Sequence, residues 1–131
     1  MKREGEEGME DFGYRNLIVW QKAKTLVKLV YAEVKNLPVE ERYALGDQIR
    51  RAVVSIPSNI AEGAGRNNDK ENLRFCFIAQ GSLSELETQL LLSADLNYLK
   101  PDHPLFKQIT TVQKLLSGYI RHLQLKIRSP K

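Results

Sequence analysis

The C-terminal segment holds the pattern that most narrows the fold. Leu105, Ile109, Val112, Leu116, Tyr119, Leu123 and Ile127 follow one another at steps of four, three, four, three, four and four. An α-helix turns once in about 3.6 residues, so such steps keep these side chains on one face. A half-buried strand needs steps of two instead.

Three earlier segments repeat the pattern. The first, from about Leu17 to Asn36, places Val19, Ala23, Leu26, Val30, Val34 and Leu37 on one face, widened by Trp20, Val27 and Tyr31. Pro38 ends it, because the residue before a proline is pushed out of the helical region. The second starts near Val39-Glu40-Glu41, with acids against the positive end of the helix dipole. Its stripe is Leu45, Ile49, Ala52, Val53, Ile56 and Ile60, and Gly63 and Gly65 end it. Pro57 lies inside and predicts a kink or a local break, with Asn59 bonding to the backbone groups thereby freed. The third follows Asn67-Asn68-Asp69 and reaches about Tyr98, with Cys76, Ala79, Leu83, Leu86, Leu90 and Ala94 on its stripe. Asn68 and Glu71 have the spacing of a reciprocal cap. Gly81, in mid-helix, predicts the close approach of another helix, since glycine there costs about 1 kcal/mol against alanine. Pro101-Asp102-His103-Pro104 marks a turn before the fourth helix. His103 in that turn and His122 among Arg121 and Lys126 are expected in solvent.

Four helices with short connections predict an all-α fold, an antiparallel up-down-up-down four-helix bundle. The chain divides into a disordered acidic segment at 1–13, a bundle domain at 14–128 and a basic end at 129–131. The absence of a hydrophobic leader in the first residues and of a long apolar run predicts a cytoplasmic protein with no membrane contact. The lone Cys76, between Phe75 and Phe77, reads as a small core residue.

Charge points to a partner. The net charge is +4. Residues 1–13 set two bases against five acids, so the remainder carries +7. From His103 to Lys131 there is no acid and there are six bases: Lys107, Lys114, Arg121, Lys126, Arg128 and Lys131. Such a stretch suits a polyanion; its bland counterpart is a solvated face that serves solubility.

Motifs for catalysis are missing. Gly63-Ala64-Gly65-Arg66 lacks the Gly-Lys-Ser/Thr that closes a phosphate loop. Three residues after Glu62, Glu85 and Glu87 stand Gly65, Thr88 and Leu90, not the histidine of a di-iron bundle. His103, His122 and Cys76 lack metal-ligand spacing. No cofactor, metal or small-molecule substrate is expected. Arg50 and Arg51 leave two readings open. One of them pairs with Glu85 or Glu87 across the helices, or they grip phosphate. Trp20, Tyr31, Phe75 and Phe77 lie partly off the stripes, with Val54 and Leu91, and predict a subunit interface.

Three motifs occur in order: Leu17-Ile18-Val19-Trp20-Gln21-Lys22-Ala23; Gln48-Ile49-Arg50-Arg51-Ala52, continuing through Ser55-Ile56-Pro57-Ser58-Asn59-Ile60-Ala61-Glu62-Gly63; and Ala79-Gln80-Gly81-Ser82-Leu83-Ser84-Glu85-Leu86-Glu87. In these the chain, over residues 14 to 123, resembles the bacterial four-helix-bundle proteins encoded by intervening sequences in 23S ribosomal RNA genes. That resemblance implies a ring-shaped homopentamer. It extends to the accessory variability protein of diversity-generating retroelements, a basic pentamer that binds nucleic acid and a reverse transcriptase. Arg50, Arg51 and Arg66 fall at motif positions. Lys114, Arg121, Lys126 and Arg128 are added to the expected nucleic-acid set from charge alone. The expectation is a non-enzymatic homo-oligomeric adaptor that binds RNA or DNA; the alternative is a protein-interaction scaffold, for example for a reverse transcriptase.

Overall fold

The computed structural model describes residues 13–129, and every regular element among them is a helix. The expected disorder of the acidic N-terminal segment falls on residues outside this range, except Gly13. The last two residues of the basic end also lie outside it.

The helices are α1 (Gly13–Asn16), α2 (Ile18–Val34), α3 (Val39–Arg42), α4 (Leu45–Ala64), α5 (Asp69–Asp95) and α6 (Pro104–Arg128). The contacts α2–α4, α4–α5, α5–α6 and α6–α2 close a ring around one apolar core. Neighbours meet in opposite order. Ser55 bonds Ser82 while Gly63 lies against Asn72, and Asn72 bonds Tyr119 while Glu87 bonds Gln113.

The sequence stripes fill the core with few exceptions. Val19, Ala23, Leu26, Val30 and Val34 of α2 are buried, as are Ile49, Ala52, Val53, Ile56 and Ile60 of α4. On α5 the buried face turns slightly past the expected one: Ser93 is buried and Ala94 only half-buried. On α6 Ile120 is buried, while Tyr119 and Ile127 lie at the rim. Tyr119 is held there by its hydroxyl, which accepts from Asn72 Nδ2 at 2.9 Å.

Several local expectations need correction. The second sequence helix is two. The chain breaks at Tyr43 and Ala44, where Ala44 has φ −116° and ψ −92°, and α4 starts anew at Leu45. The corner brings Gly46 close against Val34, Leu37 and the Glu41 carbonyl, where a side chain would be crowded. Of the two outcomes expected at Pro57, the local break is absent, since α4 is continuous through it. Asn59 does not serve the carbonyl that Pro57 leaves without its helical donor, that of Val53. It donates to the Ser55 carbonyl at 2.8 Å and to Ser55 Oγ at 2.9 Å. Asn68 caps α5 by accepting from the Glu71 N–H, but the cap is not reciprocal, because the Glu71 carboxylate pairs with Arg74. Gly81 has open space where a Cβ would stand, so none of the described residues approaches it. The close approach belongs to Gly63.

His103 is also not free in solvent. Its Nδ1 accepts from the Leu105 N–H at 3.1 Å and so caps α6. That cap leaves the proton on Nε2, which donates to Glu33 Oε1 at 3.0 Å on α2. His122 is exposed and stacks on Tyr119. Asn97, with φ 65°, turns the chain between α5 and α6, a conformation asparagine tolerates.

Cys76 is fully buried, and burial pushes its thiol up to about 11 from an ordinary 9.0. The denatured chain therefore ionises the thiol at lower pH than the folded one. The associated stability is complete below about pH 9 and is lost as pH rises toward 11. Urea unfolding should show a fall on the order of 2 kcal/mol across that window. Cys76→Ala should show a smaller fall; the remainder belongs to groups such as Tyr119, whose hydroxyl burial also raises. An identical fall in the variant would rule the thiol out as its source.

Candidate nucleic-acid interface

The core face of α6 leaves its opposite side to solvent. Lys107, Lys114, Arg121 and Arg128 stand there at steps of seven residues, all exposed. Seven residues fall about 20° short of two turns, so the four cations form one gently drifting row. At 1.5 Å per residue the row is about 30 Å long. Between them Thr110 and Thr111 turn their hydroxyls back to the helix carbonyls of Phe106 and Lys107. Among the described residues none of the four cations has an ion pair or a side-chain hydrogen bond.

The other expected phosphate ligands are more committed. Lys126 pairs with Asp69 at 3.4 Å. Arg66 pairs with Glu62 at 2.6 Å and stacks on one side of the Phe75 ring, with Arg74 also over that ring. Arg50 pairs with Asp47 and donates to the Arg42 carbonyl at 2.8 Å, one of the carbonyls left open where α3 stops. It thus ties the α3–α4 corner. Neither Glu85 nor Glu87 meets an arginine of α4, which corrects the expected cross-helix pair. Glu85 accepts from Gln89 on its own helix and Glu87 from Gln113 on α6. Asp47, three residues away, reaches Arg50 more directly than a carboxylate on another helix does. Arg51 is exposed and without a partner among the described residues.

The expected set is therefore not one patch. Arg50 stands in the first half of α4 and Arg66 just past its C-terminal end, 16 positions on, roughly 24 Å at the helical rise. The structure joins three of the charge-derived residues, Lys114, Arg121 and Arg128, with Lys107, which the sequence reading left out of the set. The seven-residue spacing was the signal that would have found it.

The expected interface aromatics also divide. Trp20 is half-buried, edge-on to Tyr14, with Lys24 Nζ 5.3 Å from its ring centroid. Phe75 is half-buried beneath the two guanidinium groups. Tyr31 and Phe77 remain exposed. Phe77 and Ile78 toward one end of the outer face of α5, and Leu91 and Leu92 toward the other, are each at least 41% exposed, with the exposed polar residues Ser84, Glu85 and Thr88 between the two pairs. That is a large apolar area for a helix face in water.

Among the described residues no group of three or more His, Cys, Asp or Glu is placed to hold a metal ion, and no helix is long and apolar enough to cross a membrane. No curated protein matches the chain. The family model described as 23S rRNA-intervening sequence protein matches residues 15–118, which take in all four long helices except the last residues of α6, and the chain belongs to that family.

Proposed function

We propose that this protein is a non-enzymatic, cytoplasmic nucleic-acid-binding adaptor, an antiparallel up-down-up-down bundle that assembles with copies of itself. The row Lys107, Lys114, Arg121 and Arg128 carries the reading. Four exposed cations in one gently drifting row, without partners among the described residues, suit the phosphates of a duplex, and no carboxylate on α6 opposes them. The opposite order of neighbouring contacts supports the bundle topology. The test is binding of a 20-base-pair DNA duplex followed by anisotropy from 50 to 200 mM salt. Affinity should fall steeply with salt; absence of binding at the lowest salt ends the proposal.

Assembly rests on the outer face of α5. Phe77, Ile78, Leu91 and Leu92 flank Gly81 and Ser84, so a second copy finds apolar side chains around a flat, uncrowded centre. The ring of five implied by the family resemblance is one closed arrangement of such contacts. The same face favours the second reading, a scaffold for a protein such as a reverse transcriptase. Light scattering on the eluting protein distinguishes a multimer from the 15.0 kDa chain. Leu91→Asp with Leu92→Asp should return the multimer to that mass. A wild-type monomer would leave α5 to a different protein.

A further inference from the structure

The groove between α2 and α4 holds a second set of residues that the α6 row does not use. Tyr31 of α2 and Arg50 and Arg51 of α4 line one compartment of about 460 Å³. Lys35, Tyr43 and the same Arg50 line the next, of about 520 Å³. Either is roomy enough for a planar ring system. Tyr31 is 41% exposed and Tyr43 82%. Lys28 precedes Tyr31 by three residues and Lys35 follows it by four, so both cations share its side of α2, and both are exposed. Arg51 faces solvent without a partner among the described residues. Arg50 is the fixed wall between the compartments, held by Asp47 and by the Arg42 carbonyl.

An exposed ring among exposed cations is the chemistry of single-stranded polynucleotide. The base stacks on the aromatic ring, which any base allows, and the phosphates follow the charges. The α6 row differs in kind. Its cations have no exposed phenylalanine or tyrosine between them, since Phe106 and Tyr119 are both half-buried. In the ring of contacting helices α4, which carries Arg50 and Arg51, is not a neighbour of α6, while α2 touches both.

We propose that the α2–α4 groove is a second polynucleotide site that takes a single-stranded segment, with a base stacked on Tyr31 and the flanking phosphates on Arg51, Lys28 and Lys35. The inference rests on the reading of the protein as a nucleic-acid binder and adds a division of labour: the row meets duplex, the groove meets strand.

The experiment uses a fluorescein-labelled 12-nucleotide oligo-dT and the 20-base-pair duplex, each titrated with wild type, Tyr31→Ala, Tyr31→Phe and Arg51→Glu. Tyr31→Ala and Arg51→Glu should each weaken oligo-dT binding about tenfold. Tyr31→Phe keeps the ring and should stay within about twofold of wild type. None of the three should move duplex affinity by more than about twofold. Thermal unfolding of each variant, at the wild-type midpoint, guards against a general loss of structure. Oligo-dT binding indifferent to Tyr31→Ala, or equal losses on both probes, overturns the groove while duplex binding leaves the adaptor reading intact. Failure of wild type to bind either probe removes both.

Discussion

Gly63→Val is expected to lower the unfolding free energy by more than about 3 kcal/mol, the largest effect of any single substitution away from the apolar core. A Cβ at this position would stand 2.7 Å from Asn72 Oδ1, 2.8 Å from Phe75 Cβ and 2.9 Å from the Asn72 carbonyl oxygen. Two of these three atoms belong to the backbone or its first side-chain carbon, so they do not swing away. Relief requires α5 to withdraw, and α5 is fixed here by the Asn72–Tyr119 bond and by the buried Cys76. Gly63→Ala, with the smaller group, should cost about 2 kcal/mol even after the gain in helix propensity. Gly81 is the control. It lies inside α5 with open space around it, so Gly81→Ala should stabilise an isolated protomer by about 1 kcal/mol. Urea unfolding of the three variants decides the matter. Equal effects of alanine at 63 and 81 would show that the close approach of α4 and α5 is not there.

Reversing the row on α6 should abolish duplex binding with the fold intact. Each phosphate neutralised by a cation contributes about 0.9 to the slope of log affinity against log salt on duplex DNA. Four contacts give a slope near −3.6 per protomer, so affinity falls roughly 150-fold between 50 and 200 mM salt. Lys107→Glu, Lys114→Glu, Arg121→Glu and Arg128→Glu together should flatten that slope and lower affinity at 50 mM salt by at least about 1000-fold. The four side chains are exposed and have no partner among the described residues, so the unfolding midpoint should change little. The same reversal at Lys126 acts elsewhere, because it places a carboxylate against Asp69. Loss of the Lys126 charge alone should therefore trim affinity modestly. Unchanged duplex binding by the fourfold variant would move the interface off α6.

The helices were legible because their apolar spacing is local. Steps of three and four from Leu105 to Leu123 need no knowledge of the neighbour, and neither does the cap offered by Asn68. What depends on a neighbour was not legible. Two glycines in helical segments look alike in a sequence, yet Gly63 marks the contact with Asn72 and Phe75 while Gly81 meets none of the described residues. The corner at Tyr43 and Ala44 was hidden because residues 39–64 keep an apolar period through it. The close packing of Gly46 on Val34 and Leu37 accompanies the turn, and no local signal announces it. His103 looked like a solvated turn residue because Glu33, seventy positions earlier, was out of sight. At the candidate site, charge alone found α6 and missed the order within it. The Arg50–Arg51 pair was read as one unit, although Arg50 closes a backbone corner and Arg51 faces water.

On the proposed function, the row on α6, unpaired among the described residues, would also set how fast a polyanion arrives, apart from how firmly it stays. Arg50, Arg66, Arg74 and Lys126 each stand beside a carboxylate, so their fields largely cancel a few ångströms away. The four cations of the row keep theirs, and over about 30 Å their potentials add along one edge. At low ionic strength such an edge would draw a polyanion from beyond contact distance and turn it side-on before any bond forms. At 0.15 M salt, where screening acts within about 8 Å, that guidance shrinks to the last layers of water, and encounter becomes a matter of random orientation.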